Sequence, residues 1–185
     1  MKLTLAMTGA TGAIYGLRLL EVLKNTEHHV SLVMSQWAEK TLALETDYAL
    51  DYVHSLADAV YDNTDLASAL ASGSYGGDGV IVAPCSMKTL AAVAAGFSDN
   101  LIVRCCDVAL KERRPLIMMV RETPLTSIHL KNMLTVTEAG AILVPPMAAF
   151  YHCPETVGDI VDQSVGKVLD ILHIHHELFK RWGHE

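Results

Sequence analysis

The chain is poor in the features that mark several large classes of protein. It has four cysteines, Cys85, Cys105, Cys106 and Cys153, and none forms a CxxC pair or a zinc-like spacing. A disulfide framework and a thiolate metal site are therefore not expected, and a reducing compartment suits the thiols. No apolar stretch approaches the length of a bilayer span, and the run after Lys2 breaks at Thr8 and Gly9. No membrane segment is expected, and the location expected is cytoplasmic. Positive charge is scarce: 14 Lys and Arg against 21 Asp and Glu give a net charge of −7. That balance argues against nucleic acid as a partner, which needs a basic face. There is no internal repeat, low-complexity tract or linker, so residues 1–185 are expected to form one domain.

What the chain does have is apolar bulk. At 185 residues it can bury roughly 70% of its unfolded surface without disulfide or metal support. Apolar residues make up 51%, a generous share for a monomer, which points to contact between subunits. Short apolar runs alternate with stretches of helical period. Lys2–Met7, His29–Met34, Gly79–Ala83, Pro115–Val120 and Ala141–Val144 are expected as buried strands, with a weaker one at Ala59–Tyr61. Helices are expected over Ala13–Asn25, Gln36–Leu44, Asp65–Ala71, Met87–Ala95, Asn100–Arg113, Ile128–Ala139 and Glu155–His176. Such alternation predicts an α/β fold with a mostly parallel sheet, helices on both faces and ligands at the carboxyl ends of the strands.

MTGATGAIYG lies at such an end. Gly9 and Gly12 allow a tight turn, Thr8 and Thr11 offer hydroxyls, and a helix starting near Ala13 would present free N–H groups to an anion. The turn is not the full GxGxxG dinucleotide fingerprint. Other strand ends are polar too: Ser35, then Pro84, Cys85, Ser86 and Thr89, then Arg121 and Glu122, then Pro145 and Pro146. Taken singly, Ser35 and Ser86 fit helix caps. Taken together, these ends could ring a nucleotide or flavin phosphate. Arg104, Asp107 and Lys111 share a helix face at spacings of three and four, which also fits a solvated face with an Asp–Lys pair. Arg121 directly follows a buried strand and must find water or an anion.

The set MTGATGAIYG, ETDYAL, ASGSYGGDGVIVAPCSMKTL, DVALKERRPLIMMVRETPLTSIHLKNM, GAILVPPMAAFYHCPETVGDIV and RWG resembles the UbiX family of flavin prenyltransferases, formerly described as aromatic acid decarboxylases. The likeness runs through nearly the whole chain in order and is weakest over 51–66. It implies a single-domain, three-layer Rossmann-like (flavodoxin-like) fold. It further implies an enzyme that moves a dimethylallyl group from dimethylallyl phosphate to N5 and C6 of reduced FMN. The product, prenylated FMN, would serve a UbiD-type decarboxylase. No metal is implied, in keeping with the lack of a DDxxD motif.

On that resemblance FMN would meet Gly9, Ala10, Thr11, Ser35, Ser86, Met87, Lys88, Thr89 and Arg121. The prenyl phosphate would meet Tyr151 and Lys167, with Arg104, Lys111, Arg121 and Glu122 close to it. Clustered Arg, Lys and Tyr can neutralise a departing phosphate in place of a metal. Glu122 would either take the proton shed at C6 or hold Arg121 or Lys111 as an ion-pair partner. Thr11 would lie near flavin N5 and relay a proton with Glu45, which could come from a neighbouring subunit. The family implies a homo-oligomer, by analogy a dodecamer, with sites at subunit boundaries.

This chain departs from many relatives in having Thr11 for Ser, Lys167 for Arg, and no tryptophan before ASGS. His173, His175, His176 and His184 are expected on the wet face of the last helix rather than on a metal, and Cys85 as a small buried thiol rather than a nucleophile. Two other readings stay open: a decarboxylase acting itself on an aromatic or cysteine-derived acid, and a non-catalytic flavin carrier.

Overall fold

The strands are continuous apolar runs because both faces of the sheet are covered. The computed structural model describes residues 1–183. Six strands, β1 (Lys2–Met7), β2 (His29–Met34), β3 (Ala59–Asp62), β4 (Gly79–Cys85), β5 (Leu116–Val120) and β6 (Ile142–Leu143), form one parallel sheet in the order β3-β2-β1-β4-β5-β6. Alternate side chains feed two cores. Leu3, Leu5, Met7, Leu32, Ile81 and Met119 meet helices α1 (Ala13–Lys24), α2 (Gln36–Glu45), α3 (Leu50–Leu56) and α7 (Val157–Ile171). Ala6, Val33, Val82, Met118 and Val120 meet α4 (Met87–Ala95), α5 (Leu101–Lys111) and α6 (Ser127–Glu138). Each fully buried Leu or Val contributes about 1.5–3 kcal/mol, so the three-layer arrangement follows from where the aliphatic side chains must go.

Strand order reverses between β1 and β4, and in a doubly wound sheet the crevice outside the carboxyl ends at that point is where ligands bind. Among the described residues no helix is long and apolar enough to cross a membrane.

Four elements differ from the sequence-based expectation. The helix expected over Asp65–Ala71 is absent; a 3₁₀ turn at Ala69–Ala71 and another at Gly73–Tyr75 take its place. Asp62 accepts bonds from the Thr64 N–H and hydroxyl, both at 2.8 Å, and Asp65 accepts from the Ala67 N–H at 3.0 Å. Such local side-chain bonds give the backbone an alternative to helix. Helix α3 was not expected; it has no side-chain cap and only seven residues. Strand β4 runs on to Cys85, with a register shift between Val82 and Cys85. The last helix ends at Ile171, not His176, because His173 adopts a left-handed conformation (φ 57°) and turns the chain back. His176 is consequently buried rather than on a wet face, while His184 lies outside the described residues.

Candidate functional site

The crevice is stapled by one threonine. Thr8 closes β1, and its N–H and hydroxyl both donate to the Pro84 carbonyl, at 3.2 and 2.8 Å, while its oxygen accepts from the Ser86 N–H at 2.8 Å. Its hydroxyl, expected to face a ligand, is thus spent holding the β1 and β4 exits together. Gly9 next to it has no room for a side chain, since a Cβ there would collide with Trp37 at the start of α2.

Of the helix N-termini at this edge, those of α1 and α4 differ. Helix α1 starts at Gly12, whose φ of 100° suits glycine and which offers no side-chain cap. The Glu45 carboxylate, from the last residue of α2, fills the gap: one oxygen accepts from the Gly12 N–H at 2.8 Å and the Ala13 N–H at 3.0 Å. The positive end of α1 is therefore already occupied by an anion belonging to the same chain. Within the single chain this carboxylate takes the place expected for a ligand anion, and it reaches the helix start from the chain's own α2. The contact also brings Glu45 to the residues that directly follow Thr11, whose side chain is exposed.

Helix α4 has no such carboxylate. Ser86 is its N-cap, accepting from the Thr89 N–H at 3.3 Å, with the two hydroxyls 3.1 Å apart. Lys88 is exposed in its first turn and has no carboxylate partner among the described residues. Across from it Ser35 caps α2 through the Ala38 N–H at 3.1 Å. Gly9, Ser35, Ser86, Lys88 and Thr89 all line one cleft of about 580 Å³, whose other walls include Trp37, Ala92, Phe97 and Val103. A helix start without a carboxylate, three hydroxyls and a lysine beside apolar and aromatic walls suit a phosphorylated aromatic group such as FMN. Ala10 is buried and Met87 half-buried at the edges of this region.

Arg121 and Glu122 leave β5 on the same rim, for the Arg121 N–H donates to the Cys85 carbonyl at 3.1 Å. Burial pushes the Tyr15 phenol, in the first turn of α1, up, and the positive charge of Arg121 pulls it partly back. Glu122 is exposed, accepts from the following Thr123 N–H at 2.9 Å, and makes no ion pair among the described residues. Cys85 is fully buried and its thiol is pushed up to about 12, so it offers no thiolate near neutral pH.

The remaining candidates do not join this cluster within one chain. Arg104 turns away from the cleft, donating to the Ala71 carbonyl at 3.0 Å and pairing with Asp107 at 2.6 Å. Lys111 pairs with its neighbour Glu112 beside Gly73. Helix α5 runs back across the sheet, so its last turn lies at the amino edge of the strands, about 16 Å from its start. The expected gathering of Arg104 and Lys111 with Arg121 is therefore not formed inside a protomer, and the expected Asp107–Lys111 pair is replaced by these two. Tyr151 and Lys167 sit on the opposite layer. The Tyr151 hydroxyl accepts from Gln163 on α7 at 3.3 Å, and Lys167 lies one turn further along, exposed.

Several residues here carried little sequence signal. Asn63 lines the cleft and caps α5, its side chain accepting from the Ile102 N–H at 3.0 Å and its carbonyl from the Leu101 N–H at 2.8 Å. It follows β3, so the rule that strand ends carry function could have found it. Trp37 and Phe97, both about two-thirds exposed, flank the cleft with no motif to mark them.

A parallel doubly wound sheet with a phosphate-ready, aromatic-walled crevice at its switch point defines a flavin-binding α/β protein, and the family model described as Flavoprotein matches residues 1–181. The chain belongs to the UbiX family of flavin prenyltransferases within that group. It is 54% identical over 183 residues to the flavin prenyltransferase UbiX of Methanocaldococcus jannaschii, covering 99% of each chain. It is 51% identical over 182 residues to that of Thauera aromatica, covering 98% of this chain and 94% of the relative. Among solved structures, AnUbiX (PadA1) in complex with FMN and dimethylallyl pyrophosphate superposes with a TM-score of 0.97 at 50% identity, covering 100% of this chain and 98% of the other. A dodecameric FMN-dependent UbiX-like decarboxylase from Escherichia coli O157:H7 gives 0.97 at 49% identity, covering 100% of both chains. Peptidyl-cysteine decarboxylase EpiD, at 16% identity and a TM-score of 0.63, shares the fold alone.

Proposed function

We propose that this protein is a flavin prenyltransferase that transfers a dimethylallyl group from dimethylallyl phosphate to N5 and C6 of reduced FMN, forming prenylated FMN for a UbiD-type decarboxylase. The observation that carries the reading is the crevice, which joins an unpaired lysine and two hydroxyls at the start of α4, and the Ser35 hydroxyl at the start of α2, to an apolar, aromatic-walled cleft. Ser35, Ser86, Lys88 and Thr89 hold the phosphate of FMN, and Gly9 and Ala10 let the ring system approach the backbone. Reduced FMN supplies the electron-rich N5 and C6 that receive the prenyl group.

The chain's own residues do the rest. Arg121, with Tyr151 and Lys167, takes up charge on the departing phosphate, where preorganised donors act most strongly in a site closed to water. Glu122, unpaired on the rim, accepts the C6 proton directly or through the released phosphate. Thr11 and Glu45 take the proton shed at N5 and return one to the prenyl C=C, whose opening lets C6 form the second bond. Lys111 enters the site of a neighbouring protomer, because its helix carries it to the far edge of its own sheet, and Arg104, turned away from its own cleft on the same helix, serves there too. A homo-oligomer is thus part of the active unit, as the dodecameric assembly of the Escherichia coli relative supports.

The test is anaerobic mixing with reduced FMN and dimethylallyl phosphate, in parallel with the pyrophosphate, followed by mass analysis of the flavin. A flavin heavier by one dimethylallyl unit is expected. An unmodified flavin with both ligands bound overturns the reading, and release of carbon dioxide from an aromatic acid without a second enzyme would replace it with the decarboxylase.

A further inference from the structure

After α7 the chain folds back over its own helix and is fastened there. The Asp170 carboxylate accepts from both terminal nitrogens of Arg181, at 2.7 and 3.1 Å, and from His176 Nε2 at 3.2 Å. The His176 side chain is 2% exposed. Its Nδ1 accepts from the Leu178 N–H at 3.2 Å, which leaves the ring proton on Nε2, directed at Asp170. The Arg181 guanidinium holds the Asp170 carboxyl below the usual carboxylate range, as a paired acid requires.

The helix is shaped to receive this segment. At Gly166 a Cβ would stand 2.5 Å from Phe179 Cε1 and 2.6 Å from His176 Cε1, distances that real side chains do not tolerate, so a larger residue would push the segment off. Arg181 also lies over the Phe179 ring at 5.6 Å. Beyond this fastening the segment delivers Trp182 edge-on to Tyr151, with ring centroids 5.9 Å apart and planes at 85°. Tyr151 is thereby held from two sides. Gln163 Nε2 donates to its oxygen, which leaves the phenolic hydrogen free to donate outward, and Trp182 fixes the ring. Together the segment and the Tyr151 loop border a groove of about 760 Å³ that includes Lys180 and Arg181.

We propose that residues 172–183 form a strap, latched by Asp170, His176 and Arg181 across Gly166, that positions Tyr151 to donate to the phosphate of the prenyl donor. Asp170 and His176 are positioning residues: they touch neither flavin nor donor and act through Trp182 and Tyr151. The inference rests on the assignment of Tyr151 to the donor made above. Its distinctive consequence is selectivity, because the flavin crevice is built from other loops and contains no strap residue.

Full-length Asp170→Asn, His176→Leu and His176→Gln proteins test it. The first two should raise KM for dimethylallyl phosphate at least tenfold, leave KM for reduced FMN within twofold of wild type, and raise hydrogen–deuterium exchange over 172–183. His176→Gln, which keeps a donor at the Nε2 position, should restore most of the donor affinity, a rescue that bulk packing alone would not give. Arg181→Gln, which leaves the buried ring in place, should shift the same KM in the same direction by less. Faster exchange over 172–183 with an unchanged donor KM overturns the proposal, as does an equal rise in both KM values. Tyr151→Phe with a wild-type donor KM overturns the assignment beneath it. If the wild-type protein binds both ligands yet leaves the flavin unmodified, the proposed function falls instead, and the donor Kd replaces its KM in the same comparison to decide the latch.

Discussion

Gly9, Ser35, Ser86, Lys88 and Thr89 come from three separate loops and line one cleft, whereas Arg104, Lys111, Tyr151 and Lys167 are spread over both helical layers and both edges of the sheet. The first group follows strands. Parallel strands deliver every following loop to one edge, so these residues converge as soon as the sheet forms. The second group sits on helices or the long segment after β6, Arg104 and Lys111 on one layer and Tyr151 and Lys167 on the other, so the two pairs do not meet within one chain. Convergence of the first group is thus a property of the fold, whereas the proposed recognition of the prenyl phosphate calls on residues that one fold does not gather.

The sharpest way to break this division is to test where Lys111 acts. Lys111→Ala should lower turnover by about 10²–10³-fold, the usual loss on removing one preorganised donor. Co-assembly of inactive Lys111→Ala and inactive Lys167→Ala chains should recover activity if the two side chains serve one site from different protomers. Mixed oligomers that stay inactive would return Lys111 to its own protomer and erase the distinction. On the cofactor side, Thr8→Val removes the staple and leaves the Ser86 N–H without its partner. Unfolding in urea should show a loss of about 1–3 kcal/mol, and flavin titration a weaker FMN complex with no change in oligomer size.

A smaller effect on stability is expected from Glu45→Gln. It takes a charge from the start of α1 and should cost about 0.3–1 kcal/mol by thermal denaturation, with the crevice otherwise intact. The smallest effect concerns the thiols. Burial raises Cys85 and Cys105 to about 12 in the folded chain, from an ordinary value of 9.0. The folded state therefore holds these protons more tightly, and the stability they contribute is full below pH 9.0 and declines as the pH climbs toward 12. Denaturation midpoints measured from pH 8 upward should fall, and a thiol reagent at pH 8 should label the exposed Cys153 first.

Much of the scaffold was legible in the sequence because the sheet is buried on both faces. Runs such as LTLAM and LIMMV can hardly be anything else, and the order of strands and helices follows from them. The segment 62–71 was not legible, since its apparent helical period yields to bonds from Asp62 and Asp65 that no periodicity reports. Ser35, Ser86 and Arg121 could be placed because strand ends share an edge. Lys111 could not be placed from its motif, which records its chemical neighbours and not the edge to which α5 carries it. The burial of His176 was hidden for another reason. It depends on a left-handed turn at His173 and on the missing side chain at Gly166, two details whose meaning appears only once the chain has turned back.

The contact between Glu45 and the first turn of α1 carries a consequence for ligand choice. In dinucleotide-binding proteins of this topology the pyrophosphate bridge rests on the corresponding helix start. Here a side-chain carboxylate fills that berth and takes up the Gly12 and Ala13 N–H groups on which such a bridge would rest. One acidic residue at the end of α2 thereby leaves the start of α4, and not that of α1, as the helix end free of a carboxylate.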